Sequence, residues 1–159
     1  MSPLRRALEP LIRPLFHAWW RLTRGMTLGV RGIATDAEGR VLLIRHTYVD
    51  GWSLPGGGVE RGEVASEALA REMAEEGGVS PIAAPVLLGV YSSAPRFPND
   101  HVLVYRVTAW RPCETASAGE IAERGFFPLG ALPPDTTRGT RARLDECFGG
   151  VPPATRWVP

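Results

Sequence analysis

Residues 56–79 read GGGVERGEVASEALAREMAEEGGV, and this stretch constrains the fold more than any other. Three glycines open it, just after Leu54-Pro55. Glycine lets a backbone turn to positive φ and come close to a neighbour or ligand. From Glu63 to about Gly77 the residues are good helix formers, and Gly77-Gly78 supplies a stop. A loop, a helix and a sharp end are expected in that order. Ala65, Leu69 and Met73 recur every four residues, with Ala68 beside them, and make a thin apolar stripe. Glu72, Glu75 and Glu76 share another face, and Arg71 stands four residues before Glu75, where it can pair with it. On an open helix such carboxylates oppose one another by roughly 0.2–0.5 kcal/mol per pair. A divalent cation would offset that, and Mg²⁺ takes hard oxygen ligands while keeping waters and phosphates in its shell. A solvated acidic face is the plain alternative, and the glycine loop just ahead weighs against it.

The run resembles the box of the Nudix hydrolase family. That box is Gly, five residues, Glu, seven residues, Arg-Glu, an apolar residue, any residue, Glu-Glu, any residue, Gly and an apolar residue. Gly57, Glu63, Arg71, Glu72, Met73, Glu75, Glu76, Gly78 and Val79 fill every defined position. So many fixed positions make the match specific. The likeness extends more loosely from about Thr27 to the C-terminal helix. It implies an α/β fold, a mixed sheet sandwiched between helices. It also implies hydrolysis of a diphosphate with Mg²⁺, for which Mn²⁺ can substitute.

The rest of the chain fits that frame. A length of 159 residues suits one domain with a full core. A net charge of +1 excludes nucleic-acid binding driven by charge alone. No run reaches the roughly 18 apolar residues of a membrane span. Cys113 and Cys147 lack metal-ligand spacing. Two free thiols in a reducing cytoplasm is the plainer reading, and a disulfide is the alternative.

Residues 1–25 read as a basic amphipathic helical arm. Leu4, Leu8, Leu11, Leu15 and Trp19 recur near helical spacing among Arg5, Arg6, Arg13 and Arg21, and Pro10 and Pro14 kink or split the helix. Charges and prolines interrupt any signal-peptide core. Three readings stay open for this arm. It is a helix packed on its own domain or on a homodimer partner, a peripheral anchor through residues 1–24 on anionic lipid, or disordered.

The domain is expected over residues 26–150. Thr27 to Ala34 and Arg40 to Arg45 read as a hairpin around an Asp36–Gly39 turn. Trp52 to Leu54, Pro85 to Ser92, His101 to Trp110 and the Phe126-Phe127 run read as further strands. Thr136 to Phe148 reads as a second helix, capped by Thr136 or Thr137 and ended by Gly149. Residues 151–159 read as an extended, loosely held tail.

Carried onto matching positions, the resemblance makes Glu72, Glu75 and Glu76 metal ligands and adds the Gly56 carbonyl. Arg71 would orient a glutamate. Glu63 would hold the loop or position the water, and a purely structural carboxylate at a helix N-terminus is its alternative. A further acid after the box would be the general base: Glu120 first, Glu123 next, His101 as a third option. Arg45, Tyr48 and Arg96 are the candidates for substrate contact, with His46 also within the phosphate-binding set. Tyr91 and Phe97 could stack on a base, whereas Trp52 reads as core. The expected reaction is hydrolysis of a nucleoside diphosphate linked to another moiety. A triphosphate pyrophosphohydrolase and a non-catalytic sensing module are the rivals.

Overall fold

A computed structural model describes residues 25–115 and 119–157, together with Trp19. The arm expected over residues 1–25 lies almost wholly outside the described residues. In chain order the elements are β1 (Thr27–Ala34), β2 (Val41–His46), β3 (Trp52–Ser53), α1 (Ala65–Glu75), β4 (Val79–Pro81), β5 (Val86–Ser92), β6 (Asp100–Val107), β7 (Trp110–Pro112), β8 (Ile121–Phe127) and α2 (Arg138–Phe148). A short 3₁₀ turn at Leu129–Ala131 precedes α2.

The strands form two three-stranded sheets, β1-β6-β5 and β3-β2-β8, and a two-stranded ribbon, β4-β7. β1 runs parallel to β6, while β5 runs antiparallel to it, so the arrangement is mixed as expected. Alternation along the strands divides the core in two. Val30, Ala34 and Leu42 join Ala68, Leu69 and Met73 on the α1 side. Ile33, Val41, Leu43 and Val104 join Leu144 on the α2 side. Gly32 lets α1 approach β1, because a Cβ there would overlap the Met73 sulfur.

The expected β1–β2 hairpin does not form. Its turn exists, with Gly39 N–H donating to Asp36 O at 3.1 Å, but pairing stops at one bridge, Thr35 to Val41. Both edges of β1 are already taken. β6 holds one, and the glycine loop holds the other through Val30 N–H to Gly57 O (2.9 Å) and Val59 N–H to Leu28 O (2.8 Å). β2 is likewise filled by β3 and β8.

Two further boundaries moved. The strand expected from His101 to Trp110 ends at Val107, and Trp110–Pro112 turns away to pair with Val79–Pro81. The strand before the second helix starts earlier than Phe126, at Ile121, because Ile121–Phe127 lies along all of β2. α2 is capped as expected, by Thr140 N–H donating to Thr137 Oγ1 at 3.3 Å. As far as Trp157 the tail is held against β5. Trp157 N–H donates to Ser92 O at 2.9 Å, and its ring meets Tyr91 edge-on at 6.3 Å. Both cysteines are free thiols. Among the described residues no helix is long and apolar enough to cross a membrane.

Candidate active site

The site is built where the glycine loop is laid along β1. Gly56 takes φ +144°, and a Cβ there would overlap the Val30 carbonyl, so only glycine fits. The Gly56 N–H donates to Glu76 Oε2 at 2.8 Å. At Gly57 a Cβ would fall 2.5 Å from Glu72 Oε1. The loop's glycines are thus shaped around two of the three box carboxylates.

Arg71 is the second organiser. Its Nε and Nη2 donate to the two oxygens of Glu63 at 3.0 and 3.1 Å, a bidentate pair. Its Nη1 lies 2.6 Å from Glu72 Oε1 and 3.5 Å from Glu75 Oε2, and Nη2 also donates to Gly58 O at 3.2 Å. One guanidinium therefore ties the turn, the loop and the helix face together. Glu63 also accepts the Glu60 N–H at 2.9 Å. Its carboxyl is held below the usual range, first by Arg71 and then by that N–H. Those contacts join Glu63 to Arg71 and to the turn before α1.

Glu76 is different. It is 6% exposed, and burial pushes its carboxyl up to about 7. The Gly56 N–H and Arg31 pull the other way, while the charges of Glu72 and Glu120 push up further. Glu120 stands in the turn before β8, where its backbone O accepts the Thr47 N–H at 2.9 Å. His46 brings Nε2 to 3.6 Å from Glu76 Oε1, and its Nδ1 is buried without a partner. Burial, then Arg31, lowers the imidazole's pKa. The exposed Tyr48 ring lies 5.1 Å from that imidazole.

Several candidates fall elsewhere. Arg45 and Glu123 are cross-strand partners, with Nη2 2.6 Å from Oε1. Alternation puts this pair on the side opposite Leu42 and Phe126, away from α1. His101 pairs with Leu28 across β1 from the glycine loop. Arg96 stacks on Phe97 at 5.5 Å in the loop after β5. Tyr91 is no base-stacking residue. It is 1% exposed, and its hydroxyl donates to Glu146 at 2.7 Å. Trp52 is core, edge-on to Phe127 at 4.7 Å.

Sequence reasoning missed Arg31. Its Nη1 donates to Leu54 O at 2.9 Å and to Gly56 O at 2.7 Å. A charge inside the apolar run Val30-Arg31-Gly32-Ile33 was the available signal, since a buried guanidinium demands partners.

The donor set suits a hard divalent cation. It is all carboxylate and carbonyl oxygen, a glycine makes room for Glu72, and Glu76 stays buried with an excess of acid around it. Among the described residues no three acidic or histidine side chains already converge at ligand spacing.

The NUDIX domain family model matches residues 25–146. This chain is a Nudix hydrolase. It is 36% identical over 118 residues to the ADP-ribose pyrophosphatase of Methanocaldococcus jannaschii, covering 72% of this chain and 69% of that protein. It is 36% identical over 135 residues to a MutT-like protein of Streptomyces ambofaciens, covering 82% of each. Its fold matches the crystal structure of a MutT NUDIX hydrolase from Burkholderia pseudomallei with a TM-score of 0.64 and 28% identity. That match covers 75% of this chain and 95% of the other.

The buried Glu76 gives this Nudix hydrolase a testable pH dependence. Its folded pKa lies above the ordinary 4.5, so between those values the folded chain binds the extra proton. Stability in the absence of metal must then rise as pH falls through 7, by up to about 3 kcal/mol from this group. His46 works in the opposite sense, so the comparison is with Glu76→Gln. In urea melts with chelator, Glu76→Gln should be about 2 kcal/mol more stable than wild type at pH 8. The two should converge by pH 5. A constant difference across that range would show that the Glu76 charge is not penalised.

Proposed function

We propose that this Nudix hydrolase cleaves the diphosphate of a nucleoside diphosphate linked to another moiety, of ADP-ribose or nucleotide-sugar type, with Mg²⁺ or Mn²⁺. The observation that carries the proposal is the fit of the glycine loop to the box carboxylates: the Gly56 N–H donates to the buried Glu76 at 2.8 Å, and Gly57 leaves room for Glu72. The ADP-ribose pyrophosphatase relative supports the substrate class.

Glu72, Glu75 and Glu76, with the Gly56 carbonyl, would hold the cation. It would neutralise phosphate charge and lower the pKa of a bound water. Arg71 keeps Glu72 aimed and, through Glu63, fixes the loop. Glu120 is the candidate base, accepting the water's proton on its carboxylate as the oxygen attacks phosphorus in line. Tyr48 and His46 flank the glutamates on one side. Arg96 is the remaining free-loop candidate for the distal group, and Arg45 contributes only if its pair with Glu123 opens.

A second reading, nucleoside triphosphate pyrophosphohydrolysis, draws on a Bacillus subtilis relative named a putative 8-oxo-dGTP diphosphatase, 37% identical over 79 residues that cover 50% of this chain and 52% of that protein. A panel of ADP-ribose, nucleotide sugars, dinucleoside polyphosphates and deoxynucleoside triphosphates, compared by kcat/KM, separates the two. The account predicts that a diphosphate-linked compound wins by at least about tenfold, the ratio that 1.4 kcal/mol of transition-state binding supplies. A triphosphate in first place moves the assignment to the second reading. Tight binding of one compound without turnover would make it a sensing module.

The arm and the setting are also part of the proposal. We place the protein in the cytoplasm, in keeping with its two free thiols. Residues 1–24 are the candidate contact with a membrane or a second copy. Liposome co-sedimentation with and without these residues decides the membrane case, and absence of binding by the full chain ends it.

A further inference from the structure

The four successive carbonyls from Leu54 to Gly57 are all turned onto β1. Gly32 N–H donates to Pro55 O at 2.9 Å and Val30 N–H to Gly57 O at 2.9 Å. The two between and before them, Leu54 O and Gly56 O, are taken by the side chain of Arg31. A strand offers backbone N–H groups only at alternate residues along one edge, so the other two carbonyls need a donor from outside the ladder. Arg31 supplies both from one nitrogen.

That arrangement sets a fixed positive charge on the Gly56 carbonyl. Burial lowers the pKa of the Arg31 guanidinium while the charges of Glu76 and Glu72 act the other way, and the carbonyl it holds at 2.7 Å is the one expected to serve as a metal donor. A guanidinium keeps its charge at every accessible pH, so it cannot step aside by losing a proton. We propose that Arg31 is a built-in counter-cation of this site, which competes with the divalent ion for the Gly56 carbonyl and holds metal affinity down. The inference rests on the metal reading above and adds to it a residue that the box does not contain. Arg31 is a positioning residue in this account. It touches the loop and the field of the ligands, and no reacting atom.

A merely structural Arg31 would predict the opposite sign. If the guanidinium only clips the loop in shape, removing it loosens the donors and weakens metal binding. Competition predicts that removing the charge strengthens binding. The test is Mn²⁺ binding followed by electron paramagnetic resonance, without substrate, on full-length wild type, Arg31→Lys, Arg31→Gln and Arg31→Met. Arg31→Gln and Arg31→Met should bind Mn²⁺ about tenfold more tightly, the effect of removing one like charge at short range. Arg31→Lys, which keeps the charge, should stay within about threefold of wild type. Equal or weaker binding by folded Arg31→Gln and Arg31→Met overturns the proposal.

A second measurement uses the native chain and needs no variant to fold. Adding Mg²⁺ should shift the Arg31 side-chain ¹⁵N resonances as the Gly56 carbonyl changes partner. Resonances that stay put while Mg²⁺ binds overturn the proposal as well. If neither wild type nor any variant binds Mn²⁺, the metal reading itself fails, which is a different outcome from equal binding across the series.

Discussion

Glu76→Gln should lower kcat on the preferred substrate on the order of 10³-fold at saturating Mg²⁺, because ligand loss removes about 4 kcal/mol of transition-state charge stabilisation. The substitution is nearly isosteric, and the glutamine oxygen can still accept the Gly56 N–H now held at 2.8 Å. Folding should therefore survive, with unchanged circular dichroism and higher stability at pH 8 without metal. That combination separates a chemical role from a structural one. Glu63→Gln is the contrast. Both Glu63 oxygens are engaged by Arg71, so its loss should act through the loop. It should reduce activity by about 10–100-fold, the range for groups that orient ligands, and lower stability too. A Glu76→Gln enzyme with near wild-type kcat would remove the buried glutamate from the mechanism.

The second large effect concerns stability and lies far from the box. Arg143 is 1% exposed and stacks 3.9 Å over the Tyr91 ring. Its Nη2 donates to Glu146 Oε1 at 2.6 Å, and Glu146 also accepts from Tyr91 Oη at 2.7 Å and from the Ala154 N–H at 2.9 Å. Burial opposes ionisation of Glu146, but Ala154, Tyr91 and Arg143 together hold its carboxyl below the usual range. The network joins α2 to β5 and pins the C-terminal tail. Removing one member of a buried ion pair leaves the other charge unpaired and costs about 3–5 kcal/mol. Arg143→Met and Glu146→Leu should each lower the urea midpoint accordingly. The double variant should lose clearly less than their sum, because it buries no orphan charge. Single losses below about 1 kcal/mol would show that the pair is not what holds the tail.

The local elements were legible where the determinants were local. The glycine loop, α1 with its Met73 stripe and the Thr137-capped α2 follow from side-chain periodicity and capping within a few residues. What escaped were pairings between distant segments. Thr27–Ala34 and Val41–His46 look like a hairpin because a good turn joins them. The parallel partner β6 lies some seventy residues on, and no local pattern announces it. Tyr91 carries the composition of a base-stacking residue, and Arg143, Glu146 and Trp157, all more than fifty residues away, make it core. At the site the box carboxylates and Arg71 read directly from spacing. Glu123 was a candidate as an acid after the box and Arg45 as a possible phosphate contact, and strand alternation sends both to the other face. Arg31 was hidden by its setting, since its role depends on carbonyls contributed by a loop some twenty residues downstream.

The most direct test of the central claim is hydrolysis of ADP-ribose by protein stripped of metal, with and without added Mg²⁺, in ¹⁸O-labelled water and with products identified by mass. The account predicts AMP and ribose 5-phosphate only when Mg²⁺ is present, with one labelled oxygen on one of the two phosphates. Equal turnover in chelator, or no cleavage of any diphosphate-linked nucleoside with Mg²⁺ or Mn²⁺, would contradict it.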